Sequence, residues 1–219
     1  MLLLDAGTGV QRLVEDPGLL DGVGRLDIVL THFHLDHVAG LSYLPALPLQ
    51  ARIWGPGEAL YGAPTEVILD RLLTRPLFAA SVAELAADVR EISAAPFEVG
   101  PFEIATRVQR LHTDPTLGLR IGDELAYCTD TAADRGTVEF ADGCRMLFHE
   151  AWHAEADTDD QTHTAAGEAG RIARSAGVEH LTLIHVSPLG ISDEELVVPA
   201  RVELPAAQVG EDLVAITLV

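Results

Sequence analysis

The sequence predicts an α/β sandwich, a fold in which helices pack against β-sheets. Runs rich in Val, Ile and Leu alternate with Gly, Pro and Asp turns along the 219 residues, which is typical of short buried strands. Helical patterns are interspersed among these strands, which argues against a helix bundle. The length fits one large domain better than two small ones, so we expect a single domain over residues 1–219.

Ten apolar runs bounded by turn residues predict strands. They are Leu2–Asp5, Asp27–Thr31, Arg52–Trp54, Val89–Ser93, Phe102–Leu111, Gly118–Ile121, Glu124–Thr129, Arg145–His149, Leu181–His185 and Leu213–Val219. Six segments predict helices, namely Val10–Glu15, Asp36–Leu44, Pro64–Thr74, Val82–Ala86, Thr164–Ala176 and Asp193–Ala200. The helix after His163 has the strongest support, because it is rich in Ala, carries an apolar stripe and stops at Gly177.

The start of the chain opens directly into a strand and then a glycine loop, Asp5-Ala6-Gly7-Thr8-Gly9. No hairpin precedes that strand, so we expect upstream sequence to be missing and the first strands of the N-terminal sheet to be absent. The start has no basic region and only a short apolar run, which argues against a signal peptide. No apolar run approaches the roughly 18 residues that span a bilayer. We therefore expect a cytoplasmic protein without a membrane partner.

The charge of the chain restricts its partners. The formal net charge is −20, and all fourteen basic residues are arginine. A strongly acidic surface repels the phosphate backbone at long range, so a long nucleic acid is a poor partner unless the arginines cluster. The two cysteines, Cys128 and Cys144, lie in apolar segments, and we interpret both as small buried hydrophobic residues.

Four residues with ligand-type side chains follow one apolar strand within six positions. The segment Leu26–Gly40 reads LDIVLTHFHLDHVAG. His32 and His34 are two apart in extended chain and can share a face, whereas Asp36 and His37 lie where the chain turns into a helix. One short loop can thus supply two metal positions, the first pair for one ion and the second pair for the other. Imidazole and carboxylate suit zinc, manganese or iron(II).

Three more ligand-type side chains sit at predicted strand ends. His112 begins the turn HTDPTLG, Asp130 ends the strand LAYCTD, and His185 ends the strand LTLIH. Each alone is compatible with an ordinary polar residue at a strand end. Because side chains along one edge of a sandwich can converge, the histidine-rich loop favours the interpretation that these three are distant metal ligands.

The order of these motifs resembles the metallo-β-lactamase fold superfamily, and within it the ribonuclease Z-like branch of phosphodiesterases. LLLDAGTGVQRL resembles the opening strand and glycine loop of that branch, HTDPTLGLRI its third metal motif, and LFHEAWH its His-Glu-Ala segment. THTAAGEAGRIARSAGVEHLTLIHVSP resembles its closing helix, strand and last metal histidine. In this family the bridging Asp usually follows Gly, but here it follows Thr129. The segment Glu58–Ala87 is too short and helical for the arm with which tRNA-processing members grip their substrate.

The resemblance implies a four-layer αββα sandwich and a site for two divalent ions, with zinc favoured and manganese or iron as alternatives. One ion would be held by His32, His34 and His112. The other would be held by Asp36, His37 and His185, with Asp130 bridging both.

Two ions about 3.5–4 Å apart would share a bridging water and lower its pKa, and the resulting hydroxide would attack phosphorus or a carbonyl. Asp36 would ligate one ion and orient the nucleophile. His163, at the start of a predicted helix whose N-terminus favours an anion, would contact the phosphate or protonate the leaving group. The alternative is an exposed His163 beside a capping threonine.

Three residues are candidates for orienting the ligands rather than binding the ions. His149 and Glu150 are plausible hydrogen-bond partners of ligand side chains, and the resemblance makes Asp5 a partner for a loop histidine. The alternatives are a core histidine for His149 and a turn carboxylate for Asp5. His153 and His180 are interpreted as surface or structural residues.

The function predicted from the sequence is a metal-dependent hydrolase, most of all a phosphodiesterase acting on a small-molecule or nucleotide-like ester. A thioester or lactone hydrolase of the same fold is an alternative, although glyoxalase II-like members usually carry a helical C-terminal extension. A non-catalytic metal-binding or cofactor-biosynthesis protein is another, whose signature would be missing ligands. The oligomeric state stays open, with a homodimer as one option.

Overall fold

The computed structural model describes residues 1–156, 160–188 and 191–216. The chain divides into two units, Met1–Val99 and Gly100–Val219. Each has its own apolar core. The single domain predicted from the length therefore stays a prediction.

The first unit is built on a parallel four-stranded sheet. Its strands are β1 (Leu2–Leu4), β2 (Leu26–Val29), β3 (Ala51–Gly55) and β4 (Ala86–Glu91), in the order β1-β2-β3-β4. A short strand, β5 (Phe97–Val99), ends the unit. All four residues of β2 are buried, as is typical of parallel strands, which are covered on both faces.

Short helices cover this sheet. They are α1 (Gln11–Glu15), α2 (Leu35–Val38), α3 (Thr65–Leu69) and α4 (Val82–Leu85), with 3-10 turns at Thr8–Val10, Pro17–Leu20 and Ala39–Ala46 and a π-helical turn at Gly57–Tyr61. Ile28, Leu41, Ile53 and Leu69 are among the fully buried side chains of the core that they form with the sheet.

Two glycines bring the N-terminal loop against α2. The Ala6 amide donates to the His37 carbonyl, and the Gly40 amide donates to the Ala6 carbonyl, each at 2.8 Å. A Cβ atom built on Gly40 would lie 2.0 Å from the Gly7 oxygen, and one built on Gly7 would lie 2.4 Å from the Asp36 oxygen. No side chain fits at either position, because the obstructing atoms belong to the backbone.

The second unit is built on a mixed sheet. Its strands are β6 (Phe102–Gln109), β7 (Thr116–Ile121), β8 (Leu125–Cys128), β9 (Met146–Glu150), β10 (His180–Ile184) and β11 (Ala207–Val209), in the order β11-β10-β9-β8-β7-β6. The pairs β6–β7 and β7–β8 are antiparallel, and the pairs from β8 to β11 are parallel. Several predicted site residues therefore follow strands that end at the same edge, as parallel neighbours do.

Three helices pack on this sheet, namely α5 (Arg135–Ala141), α6 (Ala166–Ala176) and α7 (Asp193–Glu203). The helix predicted over Thr164–Ala176 is confirmed as α6, and Gly177 ends it with φ of 71°. Both cysteines are buried as predicted, and burial raises the pKa of Cys128 to about 12.

The sequence-based boundaries differ from the structure in several places. The predicted strand Leu213–Val219 is wrong over residues 213–216, which are exposed loop, and residues 217–219 lie outside the described part of the chain. The last strand is instead β11, which follows Pro205 in an Ala-rich segment and has no run of large apolar residues that would predict a strand. The helix predicted over Pro64–Thr74 is α3 followed by turns, and α5 was missed because its sequence, RGTVEFA, carries few strong helix formers.

In the described part of the chain, no helix combines the length and apolar character that crossing a bilayer requires.

Replacing Gly40 by Ala is expected to lower the free energy of unfolding by about 1–3 kcal/mol or more, because the new methyl group meets two carbonyl oxygens that cannot move without breaking the loop. Chemical denaturation measures the change. Gly24→Ala is the matched control, since nothing lies within 4 Å of its Cβ position. Equal stability of the two variants would contradict the role assigned to Gly40.

Candidate functional site

The histidine-rich loop of the first unit gathers three imidazole rings. β2 ends at Val29, and α2 begins at Leu35. His32 and His34 lie in the extended segment between them, and His37 lies in α2. The centroid of the His32 ring is 4.5 Å from that of His34 and 4.2 Å from that of His37. Asp36 is largely exposed on the same loop, and its Oδ2 lies 3.4 Å from His37 Nε2. The predicted convergence of these four side chains is thus present within this unit.

A buried carboxylate fixes two of these rings. Asp5 follows β1, and its Oδ2 lies 2.9 Å from His37 Nδ1. The Thr31 amide donates to Asp5 Oδ1 at 2.7 Å, and the Thr31 hydroxyl lies within 3.0 Å of both carboxylate oxygens and of His32 Nδ1. Asp5 therefore orients His37 directly and His32 through Thr31.

This network defines the tautomer of both histidines. A hydroxyl has one proton, and a carboxylate only accepts, so the Thr31 proton goes to Asp5 and Thr31 accepts from His32 Nδ1–H. The Asp5 carboxylate likewise accepts from His37 Nδ1–H. In the neutral form of both rings Nε2 then carries the lone pair, and this is the form in which imidazole binds a metal ion.

In the second unit, one carboxylate oxygen faces two histidines. Asp130 Oδ1 lies 3.4 Å from His112 Nε2 and 3.4 Å from His185 Nε2. His112 is oriented by its other nitrogen, since Nδ1 lies 3.1 Å from the Thr162 carbonyl oxygen. The three predicted ligands of this unit therefore meet, as the strand-end argument predicted.

The contacts of Asp130 fit a cation. The Thr162 carbonyl can only accept, so His112 Nδ1 is protonated and its Nε2 lone pair points at a carboxylate oxygen. Two acceptors that face each other repel unless a proton or a positive ion lies between them. The donor set of imidazole and carboxylate suits borderline divalent ions such as zinc, so these residues could hold one.

Thr129 stands where the family resemblance leads one to expect a glycine, directly before Asp130. The Thr129 hydroxyl donates to Asp130 Oδ2 at 2.6 Å, which leaves Oδ1 facing the histidines. The Thr129 carbonyl in turn accepts from Gln109 Nε2 at 2.8 Å. The threonine therefore holds the carboxylate in place.

Backbone strain coincides with the candidate residues. Among the described residues, the non-glycine positions with positive φ are Asp5 at 61°, Asp130 at 52°, His185 at 47° and Leu213 at 66°. Three of these four are predicted site residues; Asp5 and His185 come directly after a strand, and Asp130 comes two residues after one. Strained conformations of this kind cluster where function requires a side chain to be held in one direction.

In the second unit, the buried Glu150 pairs with the partly buried His163. His163 Nδ1 lies 2.7 Å from Glu150 Oε2, and Glu150 Oε1 accepts from the Thr131 amide. Burial raises the pKa of Glu150 to about 7, although the hydrogen bond from His163 opposes this. Burial would lower the pKa of His163, but the hydrogen bond and charge of Glu150 outweigh it, so the pKa of His163 is raised. His163 can therefore hold a proton.

Trp152 is a site residue that the sequence analysis missed. Its ring stacks on His163 at 4.8 Å with an interplanar angle of 17°, and it lies 5.3 Å from the ring of His185. The His163 ring also lies 5.0 Å from that of His112. The only signal was its place in LFHEAWH, two positions after Glu150, and nothing in that pattern distinguishes a stacking residue from a core tryptophan.

Among the described residues, His149 forms no hydrogen bond, ion pair or ring contact with a predicted ligand. It is fully buried, its Nδ1 lies 2.9 Å from the Glu150 carbonyl oxygen, and burial lowers its pKa to about 4. His149 and Leu147 lie two residues apart on β9, so their side chains lie on the same face of the sheet, and Leu147 belongs to the core beneath the helices. Its predicted role in orienting a ligand stays a prediction, and these contacts favour the alternative of a core histidine.

The start of α6 has its own carboxylate. The Ala165 amide donates to Glu168 Oε2 at 3.2 Å, so the anion expected at this N-terminus is a side chain of the helix itself. His163 lies before α6, in a turn where the Asp160 carboxylate accepts from the Thr162 amide. A role of His163 therefore depends on Glu150 and not on the helix.

The two remaining histidines have structural or surface positions. His153 Nε2 lies 2.8 Å from Asp160 Oδ2, and His180 is exposed at the start of β10.

The chain is similar in sequence and fold to several known proteins. The ribonuclease Z of Streptomyces avermitilis is 26% identical over 235 residues, which cover 85% of this chain and 77% of the relative. The probable metallo-hydrolase YhfI of Bacillus subtilis is 27% identical over 199 residues, covering 88% and 78%. The crystal structure of YhfI, a metallo-β-lactamase fold protein, has a TM-score of 0.73 at 21% identity, covering 96% and 84%.

A diphosphatase from the PhnP family also shares the fold, with a TM-score of 0.71 at 20% identity, covering 96% of this chain and 77% of that one. These relatives confirm the predicted metallo-β-lactamase type of fold and the resemblance to the ribonuclease Z-like branch. A family model described as a beta-lactamase superfamily domain matches residues 1–186. The chain belongs to this beta-lactamase superfamily.

Proposed function

We propose that the chain is a dinuclear metal-dependent phosphodiesterase acting on a small or nucleotide-like ester. The observation that carries the proposal is the position of Asp130 Oδ1, 3.4 Å from Nε2 of both His112 and His185. An oxygen placed between two imidazole nitrogens suits a carboxylate that bridges two ions. The first unit adds His32 and His37 in the tautomer that binds metals.

The proposed ligands are those that the family resemblance implied. One ion is assigned to His32, His34 and His112. The other is assigned to Asp36, His37 and His185, with Asp130 bridging. Zinc is the favoured metal and manganese or iron(II) the alternatives, because imidazole and carboxylate accept all three. Bound divalent ions would activate water and stabilise negative charge on the scissile group.

The chain supplies the remaining chemistry through its own side chains. Asp5 and Thr31 hold the loop histidines so that their Nε2 atoms keep one direction. Asp36, exposed on the loop, is assigned the additional task of orienting the attacking water. Glu150 holds His163 at Nδ1 and raises its pKa, so the Nε2–H of the protonated ring would contact the phosphate or protonate the leaving group. Trp152 stacks on the His163 ring and limits its rotation.

The choice of a phosphate ester rests on the relatives. One is named a ribonuclease Z and one a diphosphatase, and both names describe reactions at phosphorus. The net charge of −20 disfavours a long nucleic acid, since association with a polyanion requires cationic surface. A small ester is therefore the substrate class that fits both observations.

Replacing Asp36 by Ala is expected to lower the metal-dependent cleavage of bis(p-nitrophenyl) phosphate by about three orders of magnitude and to weaken metal binding, because one ligand is lost. The assay compares kcat with and without added zinc or manganese. Asp21→Ala, at an exposed carboxylate after a 3-10 turn, is the control.

Full activity of the Asp36 variant with both ions bound would refute the mechanism. Metal binding without diester cleavage in the parent chain would favour a thioester or lactone substrate.

Replacing His163 by Gln is expected to lower kcat by roughly 10²–10⁴-fold while the metal content stays unchanged. Glutamine can still hydrogen-bond to Glu150 but cannot transfer a proton. His180→Gln, at an exposed histidine, is expected to match the parent chain. If the two variants have equal kcat, His163 is not the proton donor.

A further inference from the structure

An apolar recess lies beside the histidine loop, within the first unit. Its volume is about 280 Å³. Its apolar walls come from the loop, from α2 and α3 and from the turn after α3, namely Phe33, Leu35, Val38, Ile68, Leu69 and Leu72. Pockets for whole small ligands begin at about 300 Å³, so this recess suits one ring-sized group.

The position of Leu35 links the recess to the proposed ligands. Leu35 is 62% exposed and stands between His34 and Asp36 in the chain. A single exposed leucine is ordinary on a protein surface, but this one completes the wall of a concave surface. Neighbouring Cα atoms are about 3.8 Å apart, so a group in contact with Leu35 touches the segment that carries the proposed metal ligands. Phe33 packs against Tyr61, with ring centroids 5.4 Å apart.

One cation lines the recess. Arg71 is exposed there, and in the described part of the chain it forms no ion pair. Eleven of the fourteen arginines do pair with carboxylates. A guanidinium that is not neutralised is a ready partner for a phosphate or carboxylate oxygen.

We propose that this recess binds an aromatic ester group of the substrate, and that Arg71 contacts the negative charge attached to it. The substrate class is therefore an aryl or nucleoside-like phosphate ester. This inference rests on the proposed phosphodiesterase function and deepens it. Because the walls apart from Arg71 are apolar, the ring is recognised by its surface and not by hydrogen bonds, so the recess tolerates different rings.

The test compares phenyl phosphate with methyl phosphate by isothermal titration calorimetry on the purified 219-residue chain. Both probes carry the same charge, so the ratio of their Kd values isolates the ring. We expect phenyl phosphate to bind about tenfold more tightly, because the apolar surface of its ring is buried against the walls of the recess. Leu35→Ala should reduce this preference about threefold or more. Val67→Ala should not, because Val67 is an exposed α3 residue outside the recess.

Arg71 has its own matched control. Arg71→Ala should weaken phenyl phosphate binding roughly fivefold or more, whereas Arg75→Ala should leave it unchanged, since Arg75 is also exposed but does not line the recess. Equal Kd values for the two probes, or equal effects in each pair of variants, would overturn the inference. A preserved phenyl preference without any diester cleavage would instead overturn the proposed function and leave the recess as a ring-binding site.

Discussion

Four of the proposed functional imidazoles are each held at Nδ1 by an oxygen atom, and the rest of the site depends on this constraint. Thr31 holds His32, Asp5 holds His37, the Thr162 carbonyl holds His112 and Glu150 holds His163. Anchoring one nitrogen fixes both the tautomer and the ring plane, so that Nε2 is presented in one direction. The closely packed glycines Gly7 and Gly40 and the strained backbone of Asp5 serve the same end, since they hold the loop that carries the Asp5 carboxylate against α2.

The same anchoring distinguishes proton chemistry from metal chemistry. Hydroxyl and carbonyl partners occupy Nδ1 of His32 and His112 and leave Nε2 as the atom that can bind a metal ion, whereas the buried carboxylate of Glu150 favours the charged form of His163. Neighbouring histidines of identical chemistry thus acquire different tasks from the oxygen behind each ring. Trp152, stacked on His163, adds a rigid wall where the sequence offered only a pattern.

The sequence predicted most strands and the ligand-type residues because both depend on local patterns. Apolar runs define β2 and β10, and H-x-H-x-D-H is compact enough to identify without a structure. The features that the sequence did not predict are either too short for a local pattern or depend on distant contacts. β11 is too short to have a periodic pattern of apolar residues, and the recess beside Leu35 depends on the packing of α3. Thr129 replaces the expected glycine, and only its hydrogen bond to Asp130 shows why the carboxylate is still held.

The central claim is that ligands from both units bind two divalent ions, and the metal content of the purified protein tests it most directly. Elemental analysis by mass spectrometry, before and after incubation with zinc, manganese or iron(II) and removal of excess metal, gives the ratio of ions to chains. The account predicts about two ions per chain. A chain that contains no metal and takes up none would contradict it, because the seven side chains would then not form a metal site.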